Sequence, residues 1–314
     1  MEEPGGQQGR ILRGIAGFYY VETADGEIYE CRAKGGFRRE SLKPLPGDRV
    51  RFIVTHEGNL EGNLTEILPR KNMLIRPAVA GVDQALLFFA VRNPDPSFLL
   101  LDRYLLFLSG QAVRPILCFN KTDLISEEET ERIRGIYSRS GYSVFFLSVH
   151  TGEGIESLLD VLDGKTSFLA GPSGAGKSSF INRICPEAYA QIGELSKKLA
   201  RGRNTTRHSE LFRAAGKQDT WIVDTPGFTA LELHDLSEQS VADLYEDFFP
   251  YRNNCRFTSC RHMEEPDCAV RAAVEKGELS EVRYENYRRL ILETREQQEQ
   301  RYHRKEGRYD KNRF

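Results

Sequence analysis

Hydrophobic and polar positions along the first seventy residues follow the pattern of short β-strands. Residues with β-branched or aromatic side chains concentrate in 15–22, 27–32 and 49–55, and turn-forming residues separate these runs. Several short strands at close spacing indicate a small barrel or sandwich, and a five-stranded OB-type barrel is the economical choice at this size. Residues 1–9 lack this pattern, and we expect a flexible tail there.

From about residue 70 the pattern changes to alternating strands and helices. The predicted strands, all apolar runs, are 84–91, 115–119, 143–147 and 166–170. The predicted helices, indicated by helical spacing or by a capping box at Ser126 and Glu129, are 97–109, 126–140 and 155–162. Strands that alternate with helices indicate an α/β fold with a mostly parallel sheet covered on both faces.

After about residue 230 the pattern is helical, with predicted helices over 269–276 and 281–301. Residues 301–314 contain six Lys or Arg against two acids and lack apolar periodicity, so we expect a mobile basic tail. The chain is therefore predicted to be an α/β multidomain protein. Its domains are a barrel with its tail at 1–70, an α/β domain at 71–232 and a helical domain at 233–314.

The composition narrows the functional classes. Of the 314 residues, 39% are hydrophobic and 29% charged, which is typical of a globular protein with a core. The sequence has neither an apolar run of about 18 residues nor a signal-peptide pattern, so we expect a cytoplasmic protein with no membrane contact. The net charge of -2 excludes a uniformly basic nucleic-acid binder, and RNA contacts would have to come from local patches.

A phosphate-binding motif lies at residues 171–178, which read Gly-Pro-Ser-Gly-Ala-Gly-Lys-Ser and match G-x-x-x-x-G-K-[ST]. It follows a predicted strand and precedes a predicted helix, as the motif requires. Backbone N–H groups and the helix N-terminus would bind phosphate, with Lys177 at the β- and γ-phosphates. A chance glycine-rich turn is the alternative. The candidate phosphate-binding residues are Gly171, Pro172, Ser173, Gly174, Ala175, Gly176, Lys177, Ser178 and Ser179.

A candidate base-recognition motif lies at residues 120–123, which read Asn-Lys-Thr-Asp directly after a predicted strand. Ligands in such sheets bind at the carboxyl ends of strands. The Asp123 carboxylate can accept from the ring N–H and the exocyclic amine of guanine, whereas ATP would leave it unpaired. An ordinary polar turn is the alternative. Together with a loop after the next strand, whose N–H groups would support the guanine oxygen, the candidates are Asn120, Lys121, Thr122, Asp123, Ser148 and Val149.

Two further segments match the switch elements of a GTPase. Residues 224–227 read Asp-Thr-Pro-Gly, a D-x-x-G motif in which the Gly227 N–H is expected to meet the γ-phosphate. The segment 197–208 holds five Lys or Arg and no acid. We expect the γ-phosphate to order this loop, and a plain solvated basic loop is the alternative. The candidate magnesium ligands, with either of the two threonines open, are Ser178, Thr205, Thr206 and Asp224.

The order of these motifs is rotated. In an ordinary GTPase the phosphate loop precedes N-K-x-D, whereas here the base motif at 120 precedes the phosphate loop at 171 and D-x-x-G at 224. Because domain termini often lie close together, such a permutation is physically tolerated. The sequence therefore predicts a circularly permuted P-loop GTPase. Its second switch lies near the end of the α/β domain, so a short linker would couple the following domain to the nucleotide state.

Three of the six cysteines cluster with a histidine as Cys255-x4-Cys260-x-His262-x5-Cys268. In a cytosolic chain this clustering favours a metal over disulfides. Three thiolates and one imidazole complete a tetrahedral Zn²⁺ site with no open position, which is typical of a structural ion. Four unrelated residues in one short segment are the alternative.

With these motifs the chain resembles the ribosome small-subunit-dependent GTPase A family over essentially its full length. The cysteine and histidine spacing after a permuted GTPase is the most specific part. The resemblance implies a GTPase acting late in small-subunit maturation, stimulated by that subunit, with rRNA contacts through the barrel and the zinc-binding domain. GTP or GDP with Mg²⁺, one Zn²⁺ and the small subunit with its rRNA are then the expected ligands and partners of a monomer. The sequence's own support for RNA contact is the basic tail together with Arg32, Lys34, Arg38 and Arg39.

One position departs from the family pattern. Family members usually carry a histidine just before the paired threonines, whereas this chain has Asn204, with His208 four residues on. The residue after D-x-x-G is Phe228, where many GTPases place a glutamine that positions water. The catalytic residue stays open between Asn204 and His208, and we expect slow intrinsic turnover that a partner accelerates.

Three other functions stay open. A nucleotide-gated RNA-binding switch with negligible hydrolysis is consistent with Asn204 and Phe228. A P-loop kinase or ATPase conflicts with Asp123, which adenine leaves unpaired. An RNA-binding protein with a degenerate nucleotide site conflicts with the intact motif residues, among them Lys177 and Asp224.

Overall fold

The structure is a computed structural model. It describes residues 6–33, 43–74, 77–109, 111, 113–186, 209–217, 219–224 and 237–311, with side chains for all of these except 240, 244 and 301–311. The chain forms two compact units. Unit 1 consists of Met1–Phe88 and Leu147–Thr229, and unit 2 consists of Phe89–Phe146 and Ala230–Phe314.

The described residues form thirteen strands and eight α-helices. The strands are β1 (Gly6–Ile15), β2 (Phe18–Thr23), β3 (Ile28–Ala33), β4 (Arg49–His56), β5 (Glu61–Ile67), β6 (Met73–Leu74), β7 (Val79–Ala80), β8 (Gln84–Ala90), β9 (Arg114–Asn120), β10 (Ser143–Leu147), β11 (Thr166–Ala170), β12 (Glu210–Arg213) and β13 (Trp221–Asp224). The helices are α1 (Phe98–Ser109), α2 (Glu127–Tyr137), α3 (Ile155–Leu162), α4 (Lys177–Ile184), α5 (Glu238–Leu244), α6 (Phe249–Arg252), α7 (Ala269–Glu275) and α8 (Glu281–Lys311). In the described part of the chain, no helix is long and apolar enough to cross a membrane.

Unit 1 contains a closed barrel with the strand order β1-β2-β3-β5-β4. Neighbouring strands are antiparallel except for the parallel pair β3 and β5. This arrangement confirms the predicted OB-type barrel. Alternation along the strands directs one set of side chains inward, and the buried core residues are Ile11, Val21, Tyr29, Cys31, Val50, Phe52 and Leu64.

The barrel differs from the sequence prediction at its start. Strand β1 begins at Gly6, so the prediction of a flexible tail is wrong for residues 6–9. The predicted strand over 15–22 is interrupted by a turn at Ala16 and Gly17, both of which have positive φ. Residues 6–9 are paired with β4 through the backbone, while their side chains stay mostly exposed. A strand held in this way leaves no hydrophobic alternation in the sequence.

Unit 1 also contains parallel strands in the order β8-β11-β13, with β12 added antiparallel to β13. All seven residues of β8 are buried, as expected of a parallel strand covered on both faces. The mostly parallel sheet is therefore confirmed. The carboxyl end of β11 leads into the phosphate motif, and β13 ends at Asp224.

Two ion pairs connect the barrel to strand β12 within unit 1, and a third joins Arg49 of β4 to Asp219, between β12 and β13, at 3.3 Å. Arg13 of β1 contacts Glu210 of β12 with an N–O distance of 2.6 Å. Glu22 of β2 contacts Arg213 of β12 with an N–O distance of 3.0 Å. The four side chains are 13% to 42% exposed, so both pairs are reached by solvent.

Arg10 makes a further connection between the barrel and the sheet. Its Nη2 donates to the Thr166 hydroxyl at 2.7 Å. Its guanidinium carbon lies 5.1 Å from the centre of the Trp221 ring, and that of Arg213 lies 4.9 Å from the same ring. Burial lowers the pKa of Arg10 to about 10, which leaves it a cation at neutral pH.

Unit 2 combines β9, α1 and α2 with the helices of the C-terminal segment. Leu106 of α1 belongs to the same apolar cluster as residues of α5, α7 and α8. Helix α2 opens with the predicted capping box, in which Ser126 and Glu129 exchange hydrogen bonds between side chain and backbone. Helix α8 continues to Lys311, beyond its predicted end at residue 301.

A buried polar network lies at the centre of unit 2. Asp102 of α1 is 1% exposed, and its carboxylate accepts from Nη1 of Arg283 at 2.6 Å. Arg283 is 2% exposed, and two of its other nitrogens donate to Asp247 at 2.9 and 3.1 Å. Asp102 also accepts from Asn286 at 2.8 Å, Tyr245 at 3.2 Å and Tyr137 at 3.3 Å. Burial raises the pKa of Asp102 despite the neighbouring Arg283.

Candidate functional site

The phosphate motif forms a glycine-dependent loop between β11 and α4 in unit 1. Gly171, Gly174 and Gly176 have φ values of +132°, +78° and +97°, which residues with a Cβ rarely adopt. A Cβ on Gly171 would lie 2.1 Å from the carbonyl oxygen of Phe88. Ala175 is buried beneath the loop, whereas the motif residues exposed on it are Ser173, Gly174, Ser178 and Ser179.

Lys177 closes this loop from the first turn of α4. Its Nζ donates to the carbonyl oxygens of Gly171 and Pro172, both at 2.8 Å. Burial lowers the pKa of Lys177, and the nearby Asp224 opposes that shift. Lys177 of the phosphate motif and Asp224 of D-x-x-G therefore lie close enough to interact electrostatically.

Helix α4 is held against the sheet by aromatic packing. The ring of Phe180 lies 4.8 Å from the ring of Phe88 on β8, and both side chains are fully buried. Because this contact is less than one helical turn from Lys177, it fixes the helix end that supports the loop.

The candidate base-recognition motif lies in unit 2 at the end of β9. Asn120 is the last strand residue and is 2% exposed. Lys121 follows in the left-handed region with φ +70°, and its Nζ donates to the carbonyl oxygen of Asn93. Thr122 and Asp123 enter a 3₁₀ turn, in which Asp123 is exposed. Polar side chains therefore stand at the carboxyl end of a buried strand, as the motif predicts.

The loop that includes Ser148 and Val149 lies in unit 1 after β10. Ser148 is fully buried, and its oxygens accept from the backbone N–H groups of Thr151 at 3.1 Å and Gly152 at 2.8 Å. Val149 accepts at its carbonyl oxygen from Arg183 of α4 at 3.0 Å. The sequence pattern did not single out Arg183, because this contact joins residues 34 positions apart.

Several predicted site residues lie outside the described part of the chain, and their roles stay predictions. They are Asn204, Thr205, Thr206, His208, Gly227 and Phe228. The same is true of Lys34, Arg38 and Arg39 near the barrel.

The cysteine and histidine motif comes together in unit 2. The donor atoms of Cys255, Cys260, His262 and Cys268 lie within 4.8 Å of one another and could hold a metal ion. Nδ1 of His262 lies 3.5 Å from Sγ of both Cys255 and Cys268, and these two sulfurs are 3.9 Å apart. Burial lowers the pKa of His262, which favours the neutral imidazole that a metal requires.

Hydrogen bonds from surrounding groups stabilise the segment 255–268, the candidate metal-binding loop. The Glu265 carboxylate accepts from the backbone N–H groups of Arg261 and Met263, both at 2.9 Å. The hydroxyl of Tyr284 on α8 donates to the carbonyl oxygen of His262 at 2.8 Å. The loop is therefore held both by the Glu265 carboxylate within it and by Tyr284 of α8.

The phosphate loop, the sheet and the motif order define a P-loop nucleotide-binding protein of the GTPase class in which the N-K-x-D motif precedes the phosphate loop in the chain. A sequence model of the RsgA GTPase matches residues 67–234, and one of the RsgA N-terminal domain matches residues 8–60. The chain belongs to the RsgA GTPase family.

Curated relatives extend this likeness over nearly the whole chain. A protein named small ribosomal subunit biogenesis GTPase RsgA from Agathobacter rectalis is 46% identical over 300 residues, which cover 92% of this chain and 99% of the relative. The protein of the same name from Alkaliphilus metalliredigens is 46% identical over 286 residues, which cover 91% and 97%.

Solved structures agree with the permuted order. The crystal structure of YloQ, described as a circularly permuted GTPase, matches with a TM-score of 0.71 at 34% identity and covers 94% of this chain and 97% of that one. YjeQ from Thermotoga maritima matches with a TM-score of 0.72 at 34% identity and covers 92% and 98%. The prediction of a circularly permuted GTPase is confirmed.

Proposed function

We propose that this protein hydrolyses GTP to GDP and phosphate while it binds the small ribosomal subunit and assists the late maturation of that subunit. The observation that carries the proposal is an intact phosphate loop in a chain 46% identical, over 92% of its length, to a small ribosomal subunit biogenesis GTPase. Because bacterial ribosomes assemble in the cytoplasm, we propose that the protein acts there, as a monomer.

The phosphate loop supplies the charge and donors that GTP requires. Its positive-φ glycines allow backbone N–H groups to approach phosphate oxygens, and α4 directs its positive N-terminal end toward them. Lys177 now donates to two neutral carbonyl oxygens. On GTP binding it would exchange these for phosphate oxygens, which form stronger, charge-assisted hydrogen bonds.

Guanine would be recognised by residues 120–123 and by the loop after β10. The Asp123 carboxylate is assigned to the ring N–H and the amine, Asn120 to the acceptor edge of the base, and the Lys121 stem to its plane. The loop of Ser148 and Val149 is assigned to the guanine oxygen through the N–H of Val149, because the N–H of Ser148 donates to the Glu153 carbonyl oxygen at 3.0 Å. A base lacking these donors would leave the Asp123 carboxylate unpaired, and this mismatch discriminates against ATP.

Magnesium would be held by the Ser178 hydroxyl, by Asp224 through water and by one of Thr205 and Thr206. When bound, Mg²⁺ neutralises charge on the β- and γ-phosphates. The residue that activates water stays open between Asn204 and His208. Because Phe228 stands where many GTPases carry a glutamine, we propose that contact with the ribosomal subunit completes the catalytic site.

Zinc suits the cysteine and histidine cluster by size. For tetrahedral Zn²⁺ with ligand distances of about 2.3 Å to sulfur and 2.0 Å to nitrogen, the sulfurs should be about 3.8 Å apart and sulfur and nitrogen about 3.5 Å apart. Among Cys255, His262 and Cys268 the observed separations are 3.9 Å between the sulfurs and 3.5 Å from each sulfur to nitrogen, and all four donor atoms, with that of Cys260, lie within 4.8 Å of one another. All four positions are filled by protein, so we propose a structural ion.

Contacts with rRNA are proposed for the barrel and the zinc-binding segment. In the described barrel, the Arg32 guanidinium lies 4.8 Å from the centre of the Phe18 ring. In such a pair the arginine can bind a phosphate of the RNA, and the aromatic ring can stack on a base.

The test is GTP turnover with and without purified small ribosomal subunits, with ATP in place of GTP as the nucleotide control. Lys177→Ala should abolish the stimulated turnover, whereas Lys217→Ala, in the same unit but outside the loop, should retain it. A large stimulation specific to GTP supports the proposal. Equal GTP turnover with and without subunits refutes it, and nucleotide-dependent RNA binding without turnover would favour a nucleotide-gated switch instead.

A further inference from the structure

We infer, on the basis of the GTP site proposed above, that Arg183 is a positioning residue for guanine selectivity. It lies on α4, the helix that begins at Lys177 of the phosphate loop. Its Nη1 donates to the Val149 carbonyl oxygen at 3.0 Å. Helix α4 therefore supports the phosphate loop at its first turn and, at its second turn, the loop of residues 148–152, which we call the base-support loop.

The guanidinium group of Arg183 lies directly against the backbone of the base-support loop. A Cβ built on Gly152 would be 2.3 Å from Nη2 and 3.1 Å from Cζ of Arg183. Gly152 also has φ +94°, so glycine suits this position both for conformation and for space. The arginine side chain fits into a gap that only the missing Cβ leaves open.

The hydrogen bond to Val149 controls where backbone donors point. The Val149 carbonyl and the His150 N–H belong to one planar trans peptide and point in opposite directions. The N–H groups of Thr151 and Gly152 already donate to the oxygens of Ser148, which fixes the peptide between Ser148 and Val149. The bond from Arg183 to the Val149 carbonyl oxygen fixes the next peptide, between Val149 and His150. The N–H groups of Val149 and His150 thus keep one orientation, and we assign both to the guanine oxygen, because the N–H of Ser148 donates to the Glu153 carbonyl oxygen.

This rigidity matters because guanine and adenine carry opposite hydrogen-bonding groups at the ring position that faces the loop. Guanine presents an oxygen that accepts a hydrogen bond, whereas adenine presents an amine that donates one. A fixed N–H donates to the guanine oxygen and cannot pair with the adenine amine. A loop that could reorient would lose part of this discrimination. Arg183 acts through the loop and needs no contact with the nucleotide.

The experiment measures binding of GDP, 6-thio-GDP and IDP to the full-length chain. Arg183→Met keeps the aliphatic stem but removes the donor, and should weaken GDP binding by about 3- to 10-fold, the usual range for one partly exposed hydrogen bond. The preference for GDP over 6-thio-GDP, which reports the oxygen contact, should fall. The preference for GDP over IDP, which reports the amine contact of Asp123, should stay unchanged.

Two further variants complete the test. Arg183→Lys retains a donor and should restore most of the oxygen preference, and Asn182→Ala, exposed on the same helix, should behave as wild type. Equal weakening of all three nucleotides by Arg183→Met, or a lysine variant no better than methionine, overturns the positioning role. If the wild-type chain binds ADP as tightly as GDP, the proposed GTP site fails instead.

Discussion

Replacing Arg283 by methionine would leave two carboxylates in the interior of unit 2 without their cation. Arg283 is 2% exposed, and its nitrogens lie 2.6 Å from Asp102 and 2.9 Å from Asp247, which are themselves 1% and 5% exposed. Removing one partner of a buried pair costs about 3–5 kcal/mol because a buried charge is left uncompensated. With two carboxylates affected, we expect the upper half of that range.

A matched control lies on the same two helices. Arg103 of α1 pairs with Glu293 of α8 at 2.5 Å, but these side chains are 32% and 33% exposed. Solvent screens such a pair, so Arg103→Met should cost less than about 1 kcal/mol. Both variants remove an arginine between α1 and α8, and they differ mainly in burial.

The measurement is urea unfolding followed by helical circular dichroism, with hydrogen exchange in α8 as a local probe. Trp221 is the single tryptophan and lies in unit 1, so its fluorescence reports the other unit separately. A loss for Arg283→Met no larger than that for Arg103→Met would refute the role assigned to the buried network.

The pH dependence gives a second check on the same prediction. The pKa of Asp102 is raised by burial, and Arg283 opposes that rise. A carboxyl group with a raised pKa binds more protons in the folded state, so it lowers stability as pH rises toward the folded pKa. Without Arg283 this pKa rises further, and the stability deficit should be largest at neutral pH and shrink in acid. A deficit independent of pH would contradict this account.

Three other predictions concern the sites themselves. Asp123→Asn should weaken GTP binding and strengthen XTP binding, because the amide can donate to the oxygen that xanthine carries; unchanged GTP affinity would mean that the base site is misassigned. Cys260→Ala should release about one zinc per chain by elemental analysis and increase hydrogen exchange in the metal-binding loop, and an unchanged metal content would disprove the ligand set. Gly171→Ala should abolish GTP binding, since its Cβ would lie 2.1 Å from the Phe88 carbonyl oxygen; a titration with near-normal affinity would count against this loop geometry.

Features encoded within a few residues could be predicted from the sequence. The phosphate loop at 171–178 and the capping box at Ser126 each depend on short spacings, and both elements form as expected. The cluster of Cys255, Cys260, His262 and Cys268 is of the same kind, because its four side chains lie within one short segment and come together as expected.

Features that depend on distant partners could not be predicted. Asp102 and Arg283 are 181 positions apart, and neither carries a local signal that it is buried. Strand β12 has only four residues, too few to establish a period. The start of β1 is held by backbone pairing to β4 and not by apolar side chains, so the hydrophobic pattern gives no sign of it.

Because ion pairs join the barrel to β12, the contact between the barrel and the β12–β13 hairpin should weaken as ionic strength rises. Their side chains are reached by solvent, and the screening length falls from about 10 Å at 0.1 M salt to about 3 Å at 1 M. In the sequence, β12 lies between the two predicted switch segments, so salt would loosen the barrel from the strand that joins them. Trp221 packs against Arg10 from the barrel and Arg213 from the hairpin. The chain thus carries its own fluorescent reporter of whether the barrel is engaged, and a salt titration can be followed without any label.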